Sequence, residues 1–275
     1  MSREGRSGSA SGARIPAPIR HARIMEAFDR DGFVSVTDMA RRIGVSTMTI
    51  RRDLAALDRE GRLTRTHGGA VIVELERPAD SDRAYDAEEP FFEQRMTVNA
   101  PAKKAIARAA AALVGPREAI GLDVGTTVLA LAGELVSRPD LRVFTNNLRA
   151  AMALAGGGSP VYTLGGEVRT PEFSVIGATA VGQLRNHFLD RVFIGVSGIS
   201  DAGLFDYSPE DTEVKRGFIE SSGSVVVVCD GSKFGRRALS RIAPLTSIDI
   251  LVTDRPPPQG LAQALAAAEV EVVVA

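Results

Sequence analysis

Two adjacent arginines, Arg51 and Arg52, lie in a segment whose apolar residues recur with the period of an α-helix. The segment, residues 45–57, reads VSTMTIRRDLAAL. Three residues at i, i+4 and i+7 would share one buried helical face: Ile50, Leu54 and Leu57. A guanidinium group can donate two parallel hydrogen bonds to a guanine or a phosphate. The segment therefore predicts a helix that contacts DNA.

The outward face of this helix carries the other residues that we expect to contact DNA. A helical wheel places Met48 and Arg52 opposite the apolar face. Thr49 and Arg51 fall at its edges. Ser46 lies at the N-cap position, where its hydroxyl can accept from a backbone N–H and also contact phosphate. Because Thr49, rather than Glu or Gln, follows Ser46 by three residues, a full capping box is not expected.

The flanking sequence predicts the rest of a winged helix-turn-helix. One helical pattern covers residues 19–30, and a second, with Thr37 as its candidate cap, ends at Gly44, a residue suited to a tight turn. Downstream, RLTRTHGGAVIV places alternating apolar residues around a Gly pair and predicts a hairpin, the wing. The wing adds three residues to the expected DNA contacts: Arg65, His67 and Gly68.

A second set of residues, later in the chain, has the chemistry of an anion site. Asp123 ends an apolar, β-rich run. Three small residues then lead into a helical pattern: Gly125, Thr126 and Thr127. Glycine lets the backbone approach an anion, the hydroxyls can donate, and a helix N-terminus offers free N–H groups and a favourable dipole. This spacing fits a phosphate cradle, and it also fits an ordinary turn and helix start.

Small polar residues also follow the next three predicted strands. Thr145 and Asn146 end the second strand, Gly165 and Gly166 the third, and residues 195–198 the fourth. Because ligands bind at the carboxyl ends of strands in open α/β sheets, the four ends together favour a pocket for a phosphorylated, polyhydroxylated ligand. Each motif alone fits a turn or a helix cap equally well.

Two of the four lysines could add positive charge to such a pocket. Lys215 lies on the helical pattern after the fourth strand, and Lys233 follows Asp230 at a later strand end. An ammonium group attracts an anionic ligand as a point charge. A solvated helix position explains Lys215 equally well.

Other common chemistries have no support in the sequence. It holds no Walker A loop, strand-linked G-x-G-x-x-G, nucleophile elbow or His/Cys cluster with metal spacing, so no cofactor, metal or catalytic residue is predicted. Cys229 lies in an apolar run and predicts a buried thiol. No stretch is long and apolar enough for a membrane span, and no signal peptide is evident, which favours a cytoplasmic protein without a membrane partner.

Charge and periodicity divide the chain. Residues 1–70 hold 13 Arg and no Lys against 8 acidic residues, a bias that suits DNA and equally fits a GC-rich genome. Residues 71–95 hold 3 Arg against 8 acidic residues. Helical patterns then alternate with seven strand-like runs, at residues 120–124, 142–145, 161–164, 191–196, 224–229, 248–253 and 270–274. This alternation indicates an α/β fold with a mainly parallel sheet covered on both faces. We therefore predict a disordered tail at 1–18, a winged helix-turn-helix domain at 19–73, a linker at 74–90 and an α/β domain at 91–275.

Taken in order, the motifs resemble those of the DeoR family of bacterial transcriptional regulators. The resemblance covers residues 19–254 and includes VSTMTIRRDLAAL with RTHGGA, then KKAIA, LDVGTT, TNN, LGGEVR, VIG, DRVFIGVSGI, EVKR and DGSKF. It implies a winged helix-turn-helix joined to a sensor domain similar to ribose-5-phosphate isomerase and related sugar-phosphate enzymes. Members of the family are usually repressors of sugar or carbon-metabolism operons, released from DNA by a phosphorylated intermediate.

The resemblance also assigns residues to an effector site. Gly125, Thr126 and Thr127 match the phosphate loop, and Asp123 precedes them at the same strand end. Around the ligand the resemblance places six more: Thr145, Asn146, Gly165, Gly166, Lys215 and Lys233. The expected partners are a double-stranded DNA operator and a phosphorylated sugar or related effector. A single helix-turn-helix per chain implies a homo-oligomer, a dimer or a tetramer, on a two-part site.

Two other functions compete with this one. A sugar-phosphate isomerase or deaminase with an appended DNA-binding module would need a carboxylate base, and five are candidates: Asp123, Asp201, Asp206, Glu210 and Glu213. The DNA-binding module makes this the weaker hypothesis. Protein or RNA contact by the winged helix accounts poorly for the arginine-bearing face. The two-module layout suggests that ligand binding alters how sensor domains pair, and hence the spacing of the DNA-binding heads.

Overall fold

The computed structural model describes residues 15–31, 33–59, 64–66, 69–71, 89–90 and 92–275. The chain divides into two compact units, with the division between Ala79 and Asp80. Most of the predicted tail and linker, and the wing residues His67 and Gly68, lie outside the described residues. Within the described ranges, no helix is long and apolar enough to cross a bilayer.

The N-terminal unit is a winged helix-turn-helix. Its helices are α1 (Ala17–Asp31), α2 (Val36–Ile43) and α3 (Thr47–Arg59). Its strands are β1 (Phe33–Ser35), β2 (Thr64–Thr66) and β3 (Gly69–Val71). They form an antiparallel sheet in the order β1-β3-β2, in which β2 and β3 are the two strands of the predicted wing.

The apolar face of α3 packs into the core of this unit. Ile50, Leu54 and Leu57 are at most 1% exposed and share one cluster with Ile24 of α1. Gly44 follows α2 with a φ of +77°, a left-handed conformation that glycine adopts without strain, and the chain turns there towards α3. The predicted stripe and turn are confirmed.

Two helix starts differ from expectation. α1 begins at Ala17 rather than Ile19, because Pro18 is compatible with the first turn of a helix, where its missing N–H needs no partner. α2 begins at Val36, so Thr37 lies inside the helix and is not its N-cap. Val36 is buried in the core of the unit, and this burial favours its place in the helix.

The C-terminal unit alternates helices with strands. Its helices are α4 (Phe92–Thr97), α5 (Ala100–Ala112), α6 (Thr126–Leu135), α7 (Leu148–Leu154), α8 (Ala178–Leu184), α9 (Pro209–Glu220) and α10 (Gln259–Ala267). Its strands are β4 (Ala119–Leu122), β5 (Arg142–Thr145), β6 (Val161–Thr163), β7 (Glu167–Arg169), β8 (Ser174–Ile176), β9 (Arg191–Gly195), β10 (Gly198–Ser200), β11 (Gly203–Asp206), β12 (Val225–Val228), β13 (Ser240–Ala243), β14 (Ile250–Thr253) and β15 (Glu271–Val274).

Seven of these strands form a parallel sheet in the order β15-β14-β12-β9-β4-β5-β6. It is the sheet that the sequence predicts, and each of the seven predicted strands belongs to it. Two small antiparallel sheets, β10-β11-β13 and β7-β8, and the helix α4 were not predicted. The strands of these two sheets combine apolar residues with glycine, serine or charged residues, and α4 spans only six residues, so none of these elements shows a clear apolar run or helical period.

Helices cover both faces of the parallel sheet. Along β12, Val225 and Val227 belong to one apolar cluster, whereas Val226 and Val228 belong to another. The first cluster includes residues of α8, α9 and α10, and the second includes residues of α5, α6 and α7. Because both faces are buried, the central strands read as continuous apolar runs.

A buried carboxylate joins α1 to α3 in the N-terminal unit. Asp53 is 5% exposed, and its two oxygens accept from Nε and Nη2 of Arg20 at 2.6 and 2.7 Å. The His21 Nε2 lies 3.3 Å from the same carboxylate. A bidentate pair of this kind holds a defined geometry between two helices.

We expect Asp53→Asn to destabilise the N-terminal unit by about 2 kcal/mol, because the partly buried Arg20 would lose its charged partner. Arg52→Ala, on the exposed face of α3, should change the free energy of unfolding by less than about 0.5 kcal/mol. Urea denaturation followed by circular dichroism measures both changes. Equal midpoints for the two variants would contradict this role of the pair.

Candidate functional site

The order in which successive strands join the parallel sheet reverses between β4 and β9. From β4 the sheet continues through β5 and β6, whereas β9, β12, β14 and β15 extend to the other side. The loops at the carboxyl ends of β4 and β9 therefore diverge and leave a crevice, the usual ligand site of open α/β sheets. A cleft lies here, lined by residues that follow both strands: Val124, Gly125, Thr126, Thr127, Val196 and Ser197.

The start of α6 forms one part of the cleft wall. Gly125 has a φ of +137°, which L-residues rarely adopt, and Thr126 and Thr127 are the first residues of the helix. No described side chain caps α6, so its first backbone N–H groups can bind an anion. A Cβ on Gly125 would meet only the Gly195 Cα, at 3.9 Å, so backbone conformation rather than space calls for glycine.

Lys215 is buried at the cleft between carboxylates. Its side chain is 1% exposed, and its Nζ contacts Asp123 Oδ2, lies 3.1 Å from Asp206 Oδ2 and donates to the Gly195 carbonyl at 3.1 Å. Burial raises the pKa of Asp123 to about 7, against the attraction of Lys215. Burial alone would lower the pKa of Lys215, but Asp123 and Asp206 outweigh it and raise that pKa above its ordinary value. Lys215 is a buried, charged cleft residue and not a solvated one.

Two arginines bring further positive charge to the cleft, each paired with carboxylates. Arg169 Nη2 lies 2.6 Å from Asp211 Oδ2, and Arg95 Nη2 lies 2.5 Å from Glu172 Oε1. Glu89 reaches both arginines, since its Oε1 lies 3.2 Å from Arg95 Nη2 and its Oε2 lies 3.3 Å from Arg169 Nη2. The cleft is therefore bounded by an alternating chain of acids and bases.

Lys233 is the fourth cation of the cleft. It ends the short 3-10 turn Gly231–Lys233, which Asp230 caps by accepting from the Ser232 N–H at 3.0 Å. Burial lowers the pKa of Lys233, although Asp230 opposes this. Because no ion pair of Lys233 occurs among the described residues, its ammonium group is the cleft cation most available to a bound anion.

Five predicted effector residues do not line the cleft: Asp123, which is fully buried against Lys215, and four residues at the ends of β5 and β6. Thr145 is fully buried and donates to a backbone carbonyl of β4 at 2.5 Å, and Asn146 is fully buried beside it. Gly165 donates its N–H to the Gln183 side chain. Gly166 has a φ of +149°, and a Cβ there would lie 2.3 Å from a carbonyl oxygen of β8. These four residues lie at or just after the ends of β5 and β6, and contact of all five residues with an effector stays a prediction.

The cleft also holds charged residues that sequence reasoning did not single out as binding residues: Glu89, Arg95, Glu172 and Asp211. The sequence assigns Glu89 to the linker, and the other three to no site. Arg169 has no role in the sequence analysis beyond its place in the motif LGGEVR, and Asp206 is considered there only as a candidate base. The sequence shows only that short polar segments carry charges of both signs. The spacing of these charged residues along the chain does not show that they converge in space.

The predicted recognition helix presents its polar face to solvent. Ser46, Arg51 and Arg52 are exposed, and Met48 is 53% exposed although it is apolar. The half-buried Thr49 donates its N–H to Ser46 Oγ at 3.2 Å, so Ser46 caps α3 as predicted. Exposed arginines with an apolar neighbour suit contact with base edges in a groove.

The wing is described in part. Arg65 of β2 pairs with Ala70 of β3 in an antiparallel register. His67 and Gly68, which connect the two strands, lie outside the described residues. DNA contact by Arg65, His67 and Gly68 therefore stays a prediction.

The chemistry of the cleft suits an anion that also carries hydroxyl groups. Asp211 lines the cleft, and its Oδ1 lacks a hydrogen-bond partner among the described residues, so it is an acceptor that a ligand hydroxyl could use. Cys229 also lines the cleft, but burial raises the pKa of its thiol and keeps it neutral. In the part of the chain that the structure describes, no group of three His, Cys, Asp or Glu residues could hold a metal ion.

Comparison with known proteins finds two family models that together cover both units. The DeoR-like helix-turn-helix domain matches residues 20–76, and the DeoR C terminal sensor domain matches residues 98–255. The chain is 33% identical to the glycerol-3-phosphate regulon repressor of Escherichia coli (strain K12), over 90% of this chain and 94% of the relative. It is 30% identical to the transcriptional repressor GlcR of Bacillus subtilis (strain 168), over 91% and 93%.

Solved structures resemble the chain more distantly. Ribose 5-phosphate isomerase A from Methanocaldococcus jannaschii has a TM-score of 0.38 and 20% identity, covering 50% of this chain and 55% of that chain. The eIF2B-beta2-delta2 complex from C. thermophilum has a TM-score of 0.44 and 14% identity, covering 62% and 61%. Likenesses of this size carry no information on activity.

We expect Lys215→Met to lower the free energy of unfolding of the C-terminal unit by about 3–5 kcal/mol, because Asp123 and Asp206 would stay buried without their cation. Lys104→Met is the matched control, since Lys104 is exposed on α5 and should tolerate the change. Thermal denaturation by calorimetry reports both. A Lys215→Met variant as stable as the control would show that the buried ammonium is dispensable.

Proposed function

Since this chain belongs to the DeoR family of transcriptional regulators, we propose that it is a repressor that binds an operator through α3 and is released when a phosphorylated sugar or related metabolite binds the C-terminal cleft. The observation that carries the proposal is the exposed pair Arg51 and Arg52 on the second helix of the helix-turn-helix. Relatives that cover nine-tenths of the chain are named repressors.

DNA recognition would use the outward face of α3. Arg51, Arg52 and Met48 are free of the core, so they can enter a major groove while Ser46 caps the helix and lies close to a phosphate. Arg65, His67 and Gly68 of the wing would contact the backbone or the adjacent groove. A single recognition helix per chain supports binding as a dimer or tetramer to a two-part operator.

Effector recognition would combine the α6 start with the cleft cations. Gly125, Thr126 and Thr127 offer backbone N–H groups and hydroxyls to a phosphate, and Lys233 is a cation without a carboxylate partner among the described residues. The unpartnered Oδ1 of Asp211 would accept from a hydroxyl group. This combination favours a phosphomonoester of a sugar or polyol over a simple inorganic anion.

The carboxylates that an isomerase could use as a base are engaged elsewhere. Asp123 and Asp206 contact Lys215, and Asp201 is exposed beside Arg237. Glu210 accepts from Ser208, and Glu213 pairs with Arg216 at the surface. A regulator without catalytic activity therefore accounts best for the cleft, and turnover of ribose 5-phosphate or glucosamine 6-phosphate by the purified protein would overturn that assignment.

We expect Arg52→Ala to weaken binding to operator DNA from beside the gene by about 10- to 100-fold, the effect of losing one good base contact. Arg23→Ala, which removes the same charge from the exposed face of α1, is the control and should bind within about threefold of wild type. Fluorescence anisotropy with labelled DNA gives both affinities. Operator affinity that is unchanged in Arg52→Ala would exclude α3 as the reading helix.

We expect Gly125→Ala to keep DNA binding but to lose about tenfold or more in effector affinity, because alanine is strained at a φ of +137° and would distort the α6 start. Gly133→Ala, exposed within α6 and without neighbours within 4 Å, is the matched control. Glycerol 3-phosphate is the first probe, since a relative is named for that regulon. Release of both variants from DNA at the same probe concentration would argue against the cradle.

A further inference from the structure

Residues 89–99 without residue 91, which we call the strap, contribute Glu89 and Arg95 to the lining of the cleft. Its helix α4 is anchored by Phe92, which is 2% exposed and lies under the Arg149 guanidinium at 4.1 Å from the ring centroid. At its other end, Asn99 donates to Asp230 at 3.0 Å. Lys103 is buried and donates to backbone carbonyls at the end of α4, including that of Val98 at 2.7 Å. Most of the strap is therefore held firmly.

Glu89, at the first position of the strap, is held differently. Its two oxygens lie between Arg95 and Arg169 at 3.2 and 3.3 Å, so one carboxylate bridges both guanidinium groups. Glu89 is 20% exposed, and burial raises its pKa with a further contribution from Glu172, against the attraction of Arg95 and Arg169. A carboxylate that loses water and faces a like charge is a weakly held partner for the two arginines.

The other carboxylates of the same chain of charges are held more tightly. Asp211 lies 2.6 Å from Arg169 and is 1% exposed, and Glu172 lies 2.5 Å from Arg95 and is 3% exposed. Both arginines would thus keep one close partner if Glu89 left. Among these three acids, Glu89 is the most exposed and makes the longest contacts with the arginines, so it is the one that an incoming anion displaces most readily.

We propose that Glu89 acts as an internal anion that holds Arg95 and Arg169 in the absence of effector, and that an anionic ligand in the cleft displaces it. A phosphomonoester carries about −1.5 to −2 charges and three acceptor oxygens near neutral pH, against one charge and two oxygens for Glu89. The ligand thereby frees the start of the strap, where the chain arrives from the predicted linker. The inference rests on the proposed function, because it takes this cleft to be the effector site.

The test compares Glu89→Gln with Glu118→Gln in the full chain. Glu118 matches Glu89 in exposure, 20% for each side chain, and also pairs with an arginine, but it does not line the cleft. Calorimetric titration with glycerol 3-phosphate, and separately with inorganic phosphate, gives the affinities. We expect Glu89→Gln to bind at least one of them about three- to tenfold more tightly than wild type, and Glu118→Gln to match wild type.

A second measurement follows the strap itself. Amide hydrogen exchange over residues 89–97 should become faster in the wild type at saturating glycerol 3-phosphate, and in Glu89→Gln it should already be fast without ligand. Three results would each overturn the inference. They are equal ligand affinities in wild type and Glu89→Gln, binding of neither ligand to either protein, and exchange at the strap of the wild type that does not change with ligand. Release from DNA by a ligand that binds both proteins equally would overturn it and leave the proposed function standing. Tighter binding in Glu89→Gln without any release from DNA would support the internal anion and refute the proposed release.

Discussion

The buried ammonium group of Lys215 is the interaction on which the cleft depends. It brings α9 against Asp123, which follows β4, against Asp206 at the end of β11, and against the Gly195 carbonyl at the end of β9. These groups come from both sides of the point where the strand order of the sheet reverses. In a setting with little water the attraction between such charges is strong, and the loss of one partner is costly. The ligand-binding edge of the sheet is thus organised by a charge cluster.

The same constraint shapes how the cleft can recognise an anion. Lys215, Arg95 and Arg169 each contact carboxylates of the protein, so without displacing one of these carboxylates a ligand can bind only to groups that are not so engaged. The N–H groups of α6 and the ammonium of Lys233 are such groups. A cleft that is nearly neutral without ligand can discriminate by competition, since only an anion with more charge than an internal carboxylate takes its place.

Periodicity predicted the fold wherever an element was long and buried. The stripe of Ile50, Leu54 and Leu57 defined α3, and apolar runs such as Val225–Val228 defined all seven parallel strands. The antiparallel sheets were not predicted because their strands combine apolar residues with glycine, serine or charged residues, and α4 was not predicted because it spans only six residues. For the cleft, the motif with a helix start at Gly125 was found, as were Lys215 and Lys233, whereas Thr145, Asn146, Gly165 and Gly166 lie away from the cleft.

Local sequence determined which segments become helices or strands, which side of α3 faces solvent, and where a glycine precedes a helix, because backbone preference and apolar spacing act between near neighbours. Only the tertiary structure decided which charges meet. Arg169 pairs with Glu89, 80 residues away, and with Asp211, 42 residues away. Ion pairing depends on distance in space, and the sheet order that brings these segments together is not written in the spacing of any one of them.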